Sequence, residues 1–369
     1  MIKDLTVLLL CFLFFTSCSV FQTSSKSDND IKYNLRFERL RDSALLPQWF
    51  FSPSPGNTIG SLGMARTISV SGNPEYHARK YALNGLLDYF GITPHENEKN
   101  YKELLKGEKK EAYIGGRLFS IPDILKSSDY IVARAVYGNS SAQKKIKEIS
   151  DFSPYDCRPF WICSPSSGDI GGILGVSYRA ASPQRQYEIA VENGLILLKY
   201  SHGIDVKGTE EINRLRSGTG MIRIRKNNFS LKMLGNTDKI KLYVKEVRFV
   251  GETMFLRLVS PDLPSYKADN SWLEGVIKKG AVGESGKTAA NLLSAQIESA
   301  AEKAVTNMAM NKELGIEVFE LIKRSTYSSL FDQIIKSSVN TTVFPALRGF
   351  YLDREDRVKV WMVPAGGSG

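Results

Sequence analysis

The chain begins with a short block of apolar positions. From Thr6 to Phe15 nearly every residue is apolar, Leu8, Leu9, Leu10, Phe12, Leu13, Phe14 and Phe15 among them, and the block stops at Thr16-Ser17-Cys18. About ten residues is half of what an α-helix needs to cross a bilayer, so residues 1–17 read as a signal peptide. Polar residues follow, including Ser24, Ser25, Lys26, Ser27, Asp28, Asn29 and Asp30. Such a stretch buries too little apolar surface to order itself, and 18–35 is expected to be a flexible tether. Further along, helical and strand periods alternate. Ala78, Ala82, Leu83, Leu86 and Leu87 share one side of a helix predicted over Glu75–Phe90. Further helices are predicted over Gln184–Tyr200 and Ala289–Met310. Hairpins are predicted from Ala112–Phe119 with Tyr130–Tyr137, Leu242–Val250 with Met254–Val259, and Leu347–Leu352 with Val358–Val363.

The pattern repeats. A shift of about 112 residues, without gaps, lays Pro47–Ile92 over Pro159–Ile204. The matches include Trp49/Trp161, Ser52/Ser164, Pro53/Pro165, Gly60/Gly172, Gly63/Gly175, Ala78/Ala190 and Gly91/Gly203. Glycine, proline and tryptophan dominate, the residues whose backbone and packing demands are hardest to replace. A third, eroded copy carries Trp272 and then Gly280 and Gly283 at the same glycine spacing. The expected fold is α+β: two to three tandem units, each a small antiparallel sheet with helices packed on one face. Their expected bounds are 36–150, 151–265 and 266–369, the third degenerate and helix-rich.

Trp49 with Ser52-Pro53, then Ile59-Gly60-Ser61-Leu62-Gly63-Met64-Ala65 and the alanine-spaced helix, resemble the bacterial outer-membrane lipoproteins typified by a twenty-kilodalton membrane-associated antigen. The flagellar outer-membrane proteins of the P type, and part of those of the T type, share these features. The resemblance implies a membrane-anchored, periplasm-facing assembly protein without known chemistry. This chain departs from the family in carrying more than one copy. Small residues before a cysteine also match a bacterial lipoprotein signal, in which Cys18 would take a diacylglycerol and a further acyl chain such as palmitate. Several acyl chains together hold a protein at a membrane that one chain would not. Ser19 stands where inner-membrane lipoproteins commonly carry Asp, which favours the outer membrane.

Composition narrows the classes. With 369 residues, 42% hydrophobic and 24% charged, the chain is neither disordered, collagen-like nor a polytopic membrane protein. A net charge of +10 suits anionic surfaces without requiring them, and nucleic acid is not expected as a partner. The three histidines leave little for histidine or metal chemistry. Cys11 leaves with the signal and Cys18 would be acylated, so Cys157 and Cys163 remain, either joined around Pro159 or as two buried thiols.

Candidate sites are few. Arg223, Arg225 and Lys226 lie in an alternating strand pattern and form a candidate contact for lipid phosphate or the glycan envelope, or simply a wet sheet face. Ala281–Thr288 fits a permissive P-loop pattern with Lys287 at the phosphate-binding position. The residues before it are too polar for the buried strand that motif needs, and the glycines already belong to the repeat. Trp49 and Trp161 read as core positions before sugar platforms, and Asp353, Glu355 and Asp356 as a hairpin turn before a calcium site. No catalytic residue, metal site or cofactor is assigned. The expected function is a non-enzymatic scaffold or assembly factor of an envelope structure, flagellum-associated at first guess, with protein partners or self-association. The alternatives are a module binding anionic lipid or peptidoglycan and, behind it, an NTPase.

Overall fold

The structure, a computed structural model, describes residues 30–32, 35–42, 45–68, 72–138, 153–217, 220–234, 241–275, 277, 279–287, 292–312, 315–325 and 328–365. The expected signal peptide, Cys18 and most of the expected tether lie outside the described residues. One part of the tether is described: Asp30–Lys32 forms β1, parallel to β4. That corrects the expectation for its C-terminal end. A strand added at an edge is held by its backbone, so a polar sequence can order there.

The elements recur in one sequence. Two short helices, α1 (Phe37–Asp42) and α2 (Gln48–Phe51), lead into β2 (Gly60–Arg66), α3 (Pro74–Phe90) and α4 (Glu98–Lys106). β3 (Glu111–Ile114), β4 (Arg117–Lys126) and β5 (Tyr130–Tyr137) complete the first sheet. The second run is β6 (Gly172–Ser177), α5 (Pro183–Lys199), a long hairpin of β7 (Ile204–Ser217) and β8 (Gly220–Met233), then β9 (Tyr243–Val250) and β10 (Thr253–Val259). The third is β11 (Ala281–Ser285), α6 (Leu293–Lys312), β12 (Gly315–Ser325) with β13 (Ser328–Val343), then β14 (Pro345–Leu352) and β15 (Val358–Pro364).

The fold is α+β, with three small sheets that share an antiparallel three-stranded order, β2-β5-β4, β6-β10-β9 and β11-β15-β14, to the first of which β1 and β3 add at β4. In each, the first strand pairs with the last and a helix lies across that first strand. Proline at the first helical turn and a side-chain cap start two of these helices, Asn73 for α3 and Ser182 for α5. Glycine lets each helix come close. A Cβ on Gly63 would overlap Ala78 O and Ala82 N, one on Gly175 would overlap Ala190 O, and one on Gly283 would overlap Ala300 O and Ala304 N. Small residues meet on both sides, so backbone rests on backbone.

The third unit differs from the helix-rich expectation. Its described part holds one long helix and five strands. Residues 315–343 are rich in Ile, Val and Thr, which favour extended backbone, but adjacent pairs such as Ile334-Ile335 break a simple two-residue period.

The units are not beads on a string. One core cluster runs from Phe37 and Trp49 through Trp161, Leu174 and Leu198 to Ile297, Ala304 and Val360. The joins are alike. Segment 47–54 docks on β9, with Phe50 stacked on Phe249 at 6.1 Å and Ser54 Oγ donating to Val244 O at 2.7 Å. Segment 154–163 meets β14, where Phe350 N donates to Cys163 O at 2.9 Å. The boundary expected near 265 separates nothing, because β7 of the second unit pairs with β13 of the third along its full length.

Candidate interaction surface

The four strands lying between helix and hairpin in the second and third units form their own sheet, ordered β8-β7-β13-β12. It is an arm rooted in the core. On one face near the root, Ile204, Val206, Val339 and Val343 are buried, while Lys207, Thr209, Ser338 and Asn340 on the other face are exposed. The register then runs to both tips without a bulge, so the two faces can be followed outward.

Farther from the root the pattern changes over. The face that carried Lys207 and Thr209 next holds the row Lys226–Glu211–Lys336–Glu317, one residue per strand and alternating in sign. Beyond it come the rows Ile224–Asn213–Ile334–Phe319 and Ile222–Leu215–Asp332–Leu321, mostly apolar with Asp332 as the one charge. The opposite face receives Arg214 directly across from Arg223, with Arg216 and Arg225 on neighbouring rows. Like charges placed opposite one another are unfavourable unless an anion lies between them.

Arg223 and Arg225 thus share a face, and the register adds Arg214 and Arg216 to it. Lys226 does not belong with them. It falls on the face of Ile222 and Ile224, a correction that strand alternation requires.

The other singled-out residues are structural in their surroundings. Trp49 (1% exposed), Trp161 (5%) and Trp272 (3%) are buried, which leaves no ring face for a sugar. Trp161 Nε1 donates to Glu246 at 2.7 Å, and Trp272 stacks on Trp361 at 5.9 Å. Gly60 and Gly172 lie against the carbonyls of Pro53 and Pro165. Gly280 instead has φ +82° and lies against Met362, so its role departs from the repeat. Cys157 and Cys163 are joined by a disulfide with Cα atoms 5.3 Å apart. Opening so short a loop is expected to cost about 2 kcal/mol. Urea unfolding of the Cys157→Ser/Cys163→Ser variant against wild type measures it.

Ala281–Ser285 is strand β11, paired with β15 from Ala281–Met362 to Ser285–Val358. Its backbone is extended where a P-loop would curl around phosphate, and Lys287 Nζ lies 3.0 Å from Asp356. Asp353 accepts from the amides of Glu355 and Arg357, which makes 353–357 a turn held by its own carboxylate. Among the described residues, no cluster of three or more His, Cys, Asp or Glu could hold a metal, and no helix is long and apolar enough to cross a membrane.

Two features escaped the sequence. Arg134, fully buried, is 2.5 Å from Asp123, brought opposite by a bulge between Ser120 and Asp123. A cavity of about 470 Å³ beside β6 is bordered by Ser166, His202 and Tyr266, each with a buried polar atom lacking a protein partner. Neither has a spacing signal: the bulge in β4 decides which residue meets Arg134, and the cavity joins residues such as Ser166 and Tyr266, a hundred positions apart.

No family model, curated protein or solved structure matches this chain.

Proposed function

We propose that the chain is a non-enzymatic outer-membrane lipoprotein, held by lipid on Cys18 and facing the periplasm. It acts there as a scaffold or assembly factor for an envelope structure, a flagellum-associated complex being the first to test. The observation that carries this reading is the arm: a core cluster shared by the three small sheets gives a common base, and the base presents a long ribbon to whose outer strands no further strand bonds among the described residues. A base with one projecting β-surface suits assembly.

In cells fed labelled palmitate, wild type is expected to carry label and to sediment with outer membranes. Cys18→Ala is expected to lose the label and appear in the soluble fraction. Crosslinked capture with a motility assay of the deletion strain tests the flagellar part, which normal swimming would remove.

The four arginines favour a second reading, contact with anionic lipid or peptidoglycan. It predicts cosedimentation with purified envelope that weakens as salt rises, and that Arg214→Gln/Arg223→Gln weakens without altering the melting temperature. Binding that ignores salt counts against it.

A further inference from the structure

We propose that copies of this chain join side by side through the arm, β12 of one pairing with β8 of the next, so that the pooled arms close into one antiparallel β-cylinder. The inference deepens the proposed scaffold role by naming its partner, a second copy. It draws on that reading only for the membrane that concentrates the copies.

β8 and β12 are the outer strands of the arm, 14 and 11 residues long, and among the described residues no further strand bonds to either. Unpaired edge backbone invites another strand, and proteins usually prevent this with bulges, proline or a cover. Here neither strand contains proline, and no bulge interrupts the register. The edge strands of the smaller sheets are treated differently. Met64 N on β2 donates to Gln184 Oε1 at 2.8 Å, Asn193 Nδ2 donates to Val176 O on β6 at 2.7 Å, and Asn307 Nδ2 donates to Val282 O on β11 at 2.9 Å.

Strand direction comes next. Each neighbouring pair in β8-β7-β13-β12 is antiparallel, so three reversals leave β12 running opposite to β8. A copy placed beside the first therefore extends the antiparallel ladder without inversion. Four strands per copy keep the total even for any number of copies, as a closed antiparallel cylinder requires. The contact is head-to-tail, which gives a ring when the rotation closes.

Charge then selects the partner edge. β8 carries Arg223, Arg225, Lys226 and Lys232 and no acid, while β12 carries Glu317 and Glu320 toward the root and Lys323 and Arg324 at the tip, where the same register would set Lys323 against Gly220 of the next copy. Basic residues normally guard an edge against pairing. Here the guard fits the other edge of the same molecule. The row Lys226–Glu211–Lys336–Glu317 ends in Glu317, and the next copy would add Lys226, continuing the alternation of sign. The row Arg223–Arg214–Gln333–Glu320 would likewise bring Glu320 to the next Arg223. An edge set against its own kind, β8 to β8, would instead gather like charges, which costs several kcal/mol.

The test uses the full lipidated chain extracted in mild detergent. Lys226→Cys and Glu317→Cys are placed together in one chain, where two intervening strands hold them beyond disulfide reach. Oxidation is expected to give a ladder of covalent oligomers on a non-reducing gel, and only monomer from either single variant. Glu317→Lys/Glu320→Lys is expected to weaken assembly at least about tenfold by light scattering. Adding Arg223→Glu/Lys226→Glu to it is expected to restore assembly. The melting temperature and the Cys157–Cys163 bond report that each variant is folded. Folded wild type that stays monomeric at micellar saturation, or a folded cysteine pair that gives no ladder, overturns the proposal. Palmitate labelling reports separately on the lipoprotein reading, so either idea can fail while the other stands.

Discussion

Asp123→Ala is expected to lower the free energy of unfolding by about 3–5 kcal/mol. The change leaves the Arg134 guanidinium fully buried with the carboxylate beside it removed. Burial already lowers the Arg134 pKa against the opposing pull of Asp123, a sign that the site is poor at holding charge. Nε and Nη1 of Arg134 have no hydrogen-bond partner, so the pair is only partly compensated even when intact. It follows that replacing both residues together, Asp123→Leu with Arg134→Met, should recover most of the loss and can exceed wild type. Urea titrations of the four proteins of the cycle, read by tryptophan fluorescence, check this. Equal losses for the single and double variants would show that the charge pair is not what holds the sheet.

The second large effect lies at the helix-bearing glycines. Alanine in place of Gly63, Gly175 or Gly283 is expected to cost about 1–3 kcal/mol each, as overpacking does. The added carbon meets helix backbone, which has no rotamer to yield. The sign is informative, because glycine to alanine at an unhindered site stabilises by reducing the freedom of the unfolded chain. Gly286 supplies the control: its Cβ would meet nothing within 4 Å and its φ is ordinary, so Gly286→Ala should be neutral or slightly stabilising. Melting temperatures that fall for the first three and hold for the fourth would establish close helix–strand contact in all three units. No difference between the groups would argue that the helices stand off from the strands.

Much of the base was legible because its signals are local. Ala78, Ala82 and Leu86 announce a helix by spacing, and Gly63 announces close approach by having no side chain, all within a few turns of chain. The final hairpins were legible for the same reason, being short alternating runs around turn residues. The arm was half legible. Met221–Lys226 alternates and is a strand, but its partners Glu211, Lys336 and Glu317 come from three other strands and up to about 110 residues away. Nothing in a linear pattern predicts that a hairpin of one unit will lie along a hairpin of the next. The grouping of Lys226 with Arg223 and Arg225 erred more simply, by treating adjacency in sequence as adjacency on a surface. The Arg134–Asp123 pair depends on a bulge in β4, which alternation alone does not place, and the cavity at Ser166, His202 and Tyr266 is a product of tertiary packing.

The joins between units have a mechanical consequence. Phe37 touches Phe50, and Phe50 stacks on Phe249, so the N-terminal helices of the first unit are joined to the second sheet by direct ring contact. The bond between Cys163 O and Phe350 N, beside a disulfide, joins the second unit to the third. Load on the first sheet is therefore expected to reach the third through packed rings and a backbone bond, with no need of the chain segments that link the units.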